Sequence, residues 1–380
     1  MKKTKVYAYY FPNWHVDSRN EQWHGKGWTE WEVAKCARPR FEGHEQPKIP
    51  LWGYEDEADP KVMEKKIACA KEYCVDGFIF DAYYYDDGPH RERCLNEGFL
   101  GAKNNEDFEF AVMWCDHDHT YTHPSPRVFI APKLKDSYVN EEQFITLTDH
   151  YIKDYFSRPN YIRVDGKILF IIFDVWKLRK EWGEAETRRI FDGFRQRVRD
   201  AGLGEMQLTC VTEKIAENFD EFNPEDKKEL NRVIHALGID EGIRYWWPIV
   251  DKNYFGLTND YKDMLEPGIG TFQRDKDLFE IPVDLDVMIG IDQSPRTIQS
   301  EVYETLNVYP YFPIAVNNTP ELFEVGMKAA KEYAEREDYK GHFIGVTWNE
   351  WTEGHYLEPD TKDGYARLEA IRRVMKGESK

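Results

Sequence analysis

GVTWNEWTEGHYLEPD, residues 345–360, begins as a strand and ends as something else. The apolar run that starts at Phe343 stops at Trp348. The next dozen residues hold three glutamates, an asparagine, a histidine and a second tryptophan. A strand that is apolar on both faces is covered on both faces, as in a parallel sheet. Polar groups placed just beyond such a strand stand where parallel barrels keep their chemistry. The rest of the chain shows whether that pattern repeats.

It does. Apolar runs of strand type are predicted at Val6–Phe11, Gly77–Tyr83, Phe108–Trp114, Ile168–Phe173, Met206–Val211, Val233–Leu237, Val287–Ile291 and Phe343–Trp348. Helical stretches fall between them at Pro60–Tyr73, Asn140–Phe156, Glu184–Ala201, Glu321–Glu337 and Tyr365–Met375, the first opened by Asp59 as N-cap and Pro60. This alternation predicts an α/β protein, a single (β/α)8 TIM barrel with long βα loops over residues 1–380. An aromatic-rich insertion, 14–54, follows the first strand, and Gly242–Glu280 reads as a second irregular stretch. Neither G-x-G-x-x-G nor G-x-x-x-x-G-K-[ST] follows any strand, so nothing supports a nucleotide site.

Composition narrows the function classes. The 51 basic against 70 acidic residues give a net charge of −19, which disfavours nucleic acid and anionic membranes as partners. No run approaches the roughly 20 apolar residues of a membrane span. Aromatic residues make up 15% of the chain. Many stand beside Asp, Glu, His or Asn, which suits stacking on an oligosaccharide or polysaccharide, while an aromatic-rich core is the plainer reading. The six cysteines show no C-x-x-C pair and no zinc-ligand spacing, so they read as reduced thiols. The short apolar stretch ending at Pro12 is no signal-peptide core, and the expected location is cytoplasmic, or periplasmic or secreted if a signal was removed.

Six of the eight predicted strand ends carry polar or aromatic groups: Trp14 and His15; Asp81 and Tyr84; Trp114, Asp116 and His117; Asp174; Asp292 and Gln293; and Asn349, Glu350, Trp351 and Glu353. Any of these could instead cap a helix. Together they predict a carbohydrate-type cleft at one rim. Glycosidic cleavage generally needs two carboxyl groups with pKa values set apart. Glu350 and Glu353 are the candidate pair, with Trp348 and Trp351 as an apolar wall and Glu358 as a weaker third acid; solvated loop glutamates are the competing reading. Glu30 and Trp31, in a second W-x-E-W, line the same cleft or pack the insertion. The run Asp116–His123, DHDHTYTH, has the letters of a metal site, but His117 and His119 need not converge on one ion. No metal and no cofactor is expected, and a chelator should leave activity intact.

YYFPNWH (9–15), WHGKGWTEW (23–31), FEGHEQPKIP (41–50) and WNEWTEGHYLEPD (348–360) together resemble the WbsX-like group, related to the endo-α-mannosidases of glycoside hydrolase family 99. The resemblance implies a (β/α)8 barrel and retaining, metal-free cleavage of α-linked, mannose-type glycans through a 1,2-anhydro sugar. Glu350 would be the base on the sugar 2-hydroxyl and Glu353 the acid/base. The matched motifs add Tyr10, His44 and Gln46 to the implied substrate contacts. WbsX-like sequences tend to read W-A-N-E-N-W after the third strand, where this chain has Trp114-Cys115-Asp116-His117-Asp118. The group is also associated with surface-polysaccharide synthesis and labelled as glycosyltransferases, and a non-catalytic glycan-binding barrel is a third reading.

Overall fold

The computed structural model describes residues 4–248, 256–306 and 308–378. Its barrel strands are β1 (Lys5–Tyr10), β2 (Gly77–Tyr85), β3 (Glu109–Trp114), β4 (Lys167–Ile172), β5 (Met206–Val211), β6 (Glu241–Ile243), β7 (Val283–Asp286) and β8 (Phe343–Thr347). Each pairs in parallel with the next, and β8 pairs back to β1, so the sheet closes. The fold is the (β/α)8 barrel that the strand pattern predicts.

The crossovers are α3 (Pro60–Glu72), a π-helical turn at Cys94–Phe99, α4 (Glu141–Tyr151), α5 and α6 (Val175–Trp182 and Glu184–Asp200), α7 and α8 (Thr212–Ala216 and Pro224–Leu237), α9 (Tyr261–Leu278), α10 (Pro320–Ala334) and α11 (Ala366–Lys376). Two short helices, α1 (Ser18–His24) and α2 (Trp31–Cys36), lie in the insertion after β1. Asp59 caps α3, its Oδ1 accepting the Lys61 N–H at 2.9 Å.

Three expectations fail, each for a physical reason. Val233–Leu237 is the last turn of α8, where Leu230, Val233, Ile234 and Leu237 repeat at helical spacing and Gly238 closes the helix in a left-handed conformation. The sixth strand is the three-residue Glu241–Ile243, too short and too glycine-rich to announce itself. The seventh lies four residues before Val287–Ile291, because Asp284 and Asp286 break its apolar pattern. Gly242–Glu280 contains the 18-residue helix α9, whose Pro267, Gly268 and Gly270 read as breakers. A Cβ on Gly268 would sit 2.2 Å from the Trp247 ring, so close packing demands that glycine. Residues 249–255 of that stretch lie outside the described residues.

Closure makes the two ends of the chain neighbours. Tyr9 pairs with Thr347, and the Trp348 N–H donates to the Tyr9 carbonyl at 2.8 Å. The insertion is laced to the segment after β8, Leu51 N–H to Pro359 O at 2.8 Å and Thr361 N–H to Ile49 O at 2.9 Å. The motifs around residues 30 and 350 therefore meet over one rim.

Candidate active site

Beyond β8 the chain is turned by Asn349, fully buried, whose Oδ1 accepts the Phe11 N–H at 2.8 Å while Nδ2 donates to the Phe11 carbonyl at 2.9 Å. A 3-10 turn, Trp351–Glu353, follows. Residues three apart eclipse in such a turn, so Glu350 and Glu353 fall on one side. Their side chains keep 11% and 13% of their surface open, neither sealed nor fully solvated.

Arg296 joins them. It ends a short turn after β7, Ser294–Arg296, and is buried. Its Nη2 lies 3.2 Å from Glu350 Oε2 and 2.9 Å from Glu30 Oε1, its Nε 3.1 Å from the same Glu30 oxygen, and its Nη1 donates to Glu353 Oε1. Glu30 also accepts from the Asn13 amide at 2.5 Å and from the Thr352 hydroxyl. Glu353 accepts from Tyr309 Oη at 2.9 Å and Gln293 Nε2 at 2.8 Å.

Three carboxyls thus share one guanidinium, and their environments separate them. Burial opposes the charge on Glu30, yet Arg296 and His123 outweigh it and hold the carboxyl well below the usual range. Burial pushes Glu350 well above that range and the charge of Glu353 adds to it, with Arg296 pulling the other way. Asp81, on the inner face of β2, is raised by burial, with Glu353 adding and Arg91 opposing. Burial and the charge of Glu353 thus favour the protonated form of Glu350. A protonated carboxyl beside an ionised one can protonate a departing oxygen while a second group accepts a proton or attacks.

Aromatic walls frame the cluster. The Arg296 guanidinium lies 5.4 Å from the Phe11 ring centre, Arg91 lies 4.7 Å from that of Tyr83, and His117 packs between Tyr83 and Phe173 at 5.7 and 5.6 Å. One cavity of about 470 Å³ is lined by Asp17, Arg91 and Glu97 and one of about 160 Å³ by His44, Asp292 and Gly354; Glu30, Arg296, Glu350 and Glu353 line neither.

Of the residues singled out from sequence, Glu30, Glu350, Glu353, Asp81 and His117 gather here. His44 and Gln46 hold Asp292, at 2.9 and 2.6 Å. Several others are structural. Tyr10 lies in a buried chain with Glu57 and Lys66, and Trp14 and His15 bind Glu57 through the backbone N–H and Nδ1 at 2.8 and 3.0 Å. Tyr84 and Trp114, on outward positions of β2 and β3, and Trp348, one residue past β8, pack on His150, Phe144 and Phe78 respectively. Asn349 is the tether described above. Trp31 and Trp351 stack behind the site on Trp14 and Tyr356, and Trp351 donates to Glu358, which Lys66 neutralises at 2.7 Å. The expected tryptophan wall against the glutamates is thus absent, because strand alternation turns Trp348 outward. Asp174 caps α5, its Oδ1 accepting the Lys177 N–H, and its own N–H binds Asp116 at 2.7 Å. Burial and the neighbouring Asp174 push Asp116 up to about 7. In the 116–123 run the side chains scatter: Asp118 binds Ser137, His119 stacks on Trp23, and His123 faces Glu30.

Sequence reasoning missed Arg296, Tyr309 and Arg91. Arg296 stands three residues past Gln293, at a rim already marked as polar; that position was its only signal.

The family profile described as Glycosyltransferase WbsX matches residues 6–371, and the chain belongs to that family. Two curated relatives, each described as "Uncharacterized protein WxcX", from two strains of Xanthomonas campestris pv. campestris, are 24% identical over 97% of this chain and 49% of their own length. The chain spans about half the length of these relatives. Among solved structures, a GH99 endo-alpha-mannosidase from Bacteroides thetaiotaomicron superposes with a TM-score of 0.58 at 15% identity, covering 98% of this chain and 96% of that one. A "Glycoside hydrolase-like protein" gives 0.57 at 15%, covering 99% and 94%. At such identities these likenesses show the fold.

Proposed function

We propose that this member of the WbsX family is a glycan-processing enzyme of glycoside hydrolase type, cleaving α-linked glycans of mannose or related kind with Glu350 and Glu353 as its proton-handling pair. The observation that carries this reading is the pair itself: two carboxyls on one side of a 3-10 turn at the barrel rim, bridged by Arg296, with burial favouring the protonated form of Glu350. The endo-alpha-mannosidase fold of the structural neighbours supports it. A net charge of −19 suits a neutral substrate better than an anionic one.

In the proposed chemistry one glutamate activates the sugar 2-hydroxyl, which displaces the leaving group to give a 1,2-anhydro sugar, and the other protonates the departing oxygen. The resemblance assigns the base to Glu350 and the acid to Glu353. In the free protein burial and the charge of Glu353 favour a proton on Glu350, so that order requires a bound glycan to draw it away; without that change the two act in the opposite order.

The family's description favours a second reading, a glycan-building transferase of surface-polysaccharide synthesis. One experiment addresses both: an α-glycan panel and nucleotide-sugar donors offered in parallel to the wild type, Glu350→Gln and Glu353→Gln, with product analysis. Sugar released by the wild type and lost in both variants supports the hydrolase. Transfer without hydrolysis replaces it with the transferase. Tight glycan binding with no product in either assay leaves a binding barrel.

A further inference from the structure

At the opposite end of the barrel, where the strands begin, three ligating side chains converge. Glu241 is the first residue of β6, Asp284 the second of β7, and His342 immediately precedes β8. Neighbouring parallel strands put them at one level. One carboxylate oxygen from each acid and one ring nitrogen of His342 lie within 4.8 Å of one another. Glu241 and Asp284 are each 1% exposed, while His342 is only half-buried and leaves a way in from solvent.

The hydrogen bonding leaves one carboxylate oxygen of this cluster, on Asp284, unsatisfied and anchors the rest. Asp284 Oδ1 accepts the backbone N–H groups of His342 and Phe343 at 2.5 and 3.0 Å, but Asp284 Oδ2 is buried with no hydrogen-bond partner among the described residues. One Glu241 oxygen takes the Gln207 amide; the other lies 2.5 Å from His342 Nδ1. His342 Nε2 faces Asp165 Oδ2 at 3.2 Å. Either neutral tautomer of His342 turns one ring-nitrogen lone pair toward a carboxylate oxygen, so a proton or a cation has to lie at that contact. A carboxylate behind a histidine and a donor behind each ligating carboxylate is the outer arrangement that orients metal ligands.

We propose that Glu241, Asp284 and His342 bind one first-row divalent cation, Zn²⁺ foremost, as a structural clamp across the starts of β6, β7 and β8. One imidazole nitrogen with two carboxylate oxygens suits Zn²⁺ at about 2.0–2.2 Å and suits Ca²⁺ or Mg²⁺, which take oxygen ligands, poorly. A tetrahedral site of that size spaces its ligand atoms about 3.4 Å apart, so His342 moves out by less than a bond length and Asp284 moves in. The fourth position faces solvent beside His342. The site lies across the barrel from Glu350 and is independent of the proposed reaction.

The test is Zn²⁺ binding to EDTA-stripped, dialysed protein, read by elemental analysis after gel filtration and by melting temperature. One retained equivalent per chain is expected, with a rise of roughly 3–6 °C at about 100-fold excess over the dissociation constant. Both should be lost in His342→Ala and Asp284→Asn, with the fold of each variant checked by circular dichroism. No retained zinc and no shift in the wild type overturns the site, whatever the variants do. Equal binding in wild type and folded variants overturns it as well.

Discussion

Glu30 Oε1 lies 2.9 Å from Arg296 Nη2 although 266 residues separate them in the chain, and both side chains are buried. The guanidinium that secures Glu30 also faces Glu350 and Glu353, so a single cation holds together acids contributed by the first and the last barrel loops. Opposite charges this close stabilise each other's ionised form, and removing the cation leaves three buried carboxyls to find protons.

Arg296→Met should therefore destabilise the protein by about 3–5 kcal/mol, the usual cost of leaving buried partners uncompensated. Urea denaturation at pH 7 and pH 4 checks this. Glu30 in the wild type has a depressed folded pKa, so its stabilisation is present above the unfolded value near 4.3 and is lost as pH falls through the folded value. The variant should lack that acid-side loss. A penalty below about 1 kcal/mol at pH 7 would mean the cluster is not held by Arg296.

The seat of the proton is open to infrared difference spectroscopy. With Glu350 raised by burial and by Glu353, a protonated-carboxyl C=O band present at neutral pH should vanish in Glu350→Gln and persist in Glu353→Gln. The reverse pattern would move the proton to Glu353.

Kinetics on the proposed glycan-cleaving reaction separate acid from base. An activated aryl glycoside needs little protonation, so replacing the acid should impair it much less than a natural glycan. If Glu353 is the acid, Glu353→Gln shows this split and Glu350→Gln depresses both substrates alike; the opposite result identifies Glu350 as the acid.

Asp116 sets a pH dependence of stability. Its folded pKa of about 7 lies above the unfolded value, so the native state binds the extra proton and stability falls as pH rises from about 4 to 7, then levels off. Asp116→Asn removes this titration: the variant should match the wild type near pH 4 and exceed it above pH 7, by at most about 4 kcal/mol. Melting curves across that range test it, and parallel curves for the two proteins would refute it.

Asn349→Ala should cost about 2–4 kcal/mol, because the Phe11 N–H and carbonyl would both be left buried and unpaired. Chemical denaturation reads the loss. A fall in activity at temperatures where the variant stays folded would show that the tether also positions Glu350.

The sequence by itself determined the barrel and the acid pair. Apolar runs at β1, β2, β3, β4, β5 and β8 are long enough to be read without tertiary context, and the three-residue spacing of Glu350 and Glu353 needs only one turn to align them. Glu241–Ile243 and Val283–Asp286 escaped that reading because a short or acid-bearing strand is made by its neighbours' hydrogen bonds rather than by its own side chains. The division of the aromatic residues between wall and core was also illegible: Trp114, Trp348 and Tyr84 stand next to the rim in sequence, but a strand alternates its faces, and register alone decides which residues look inward. Only the closed barrel placed Arg296 among Glu30, Glu350 and Glu353, since that contact requires β7, β8 and β1 to lie side by side. A charge's partner, and with it the proton of Glu350, depends on distance in space, which the order of residues along the chain does not encode.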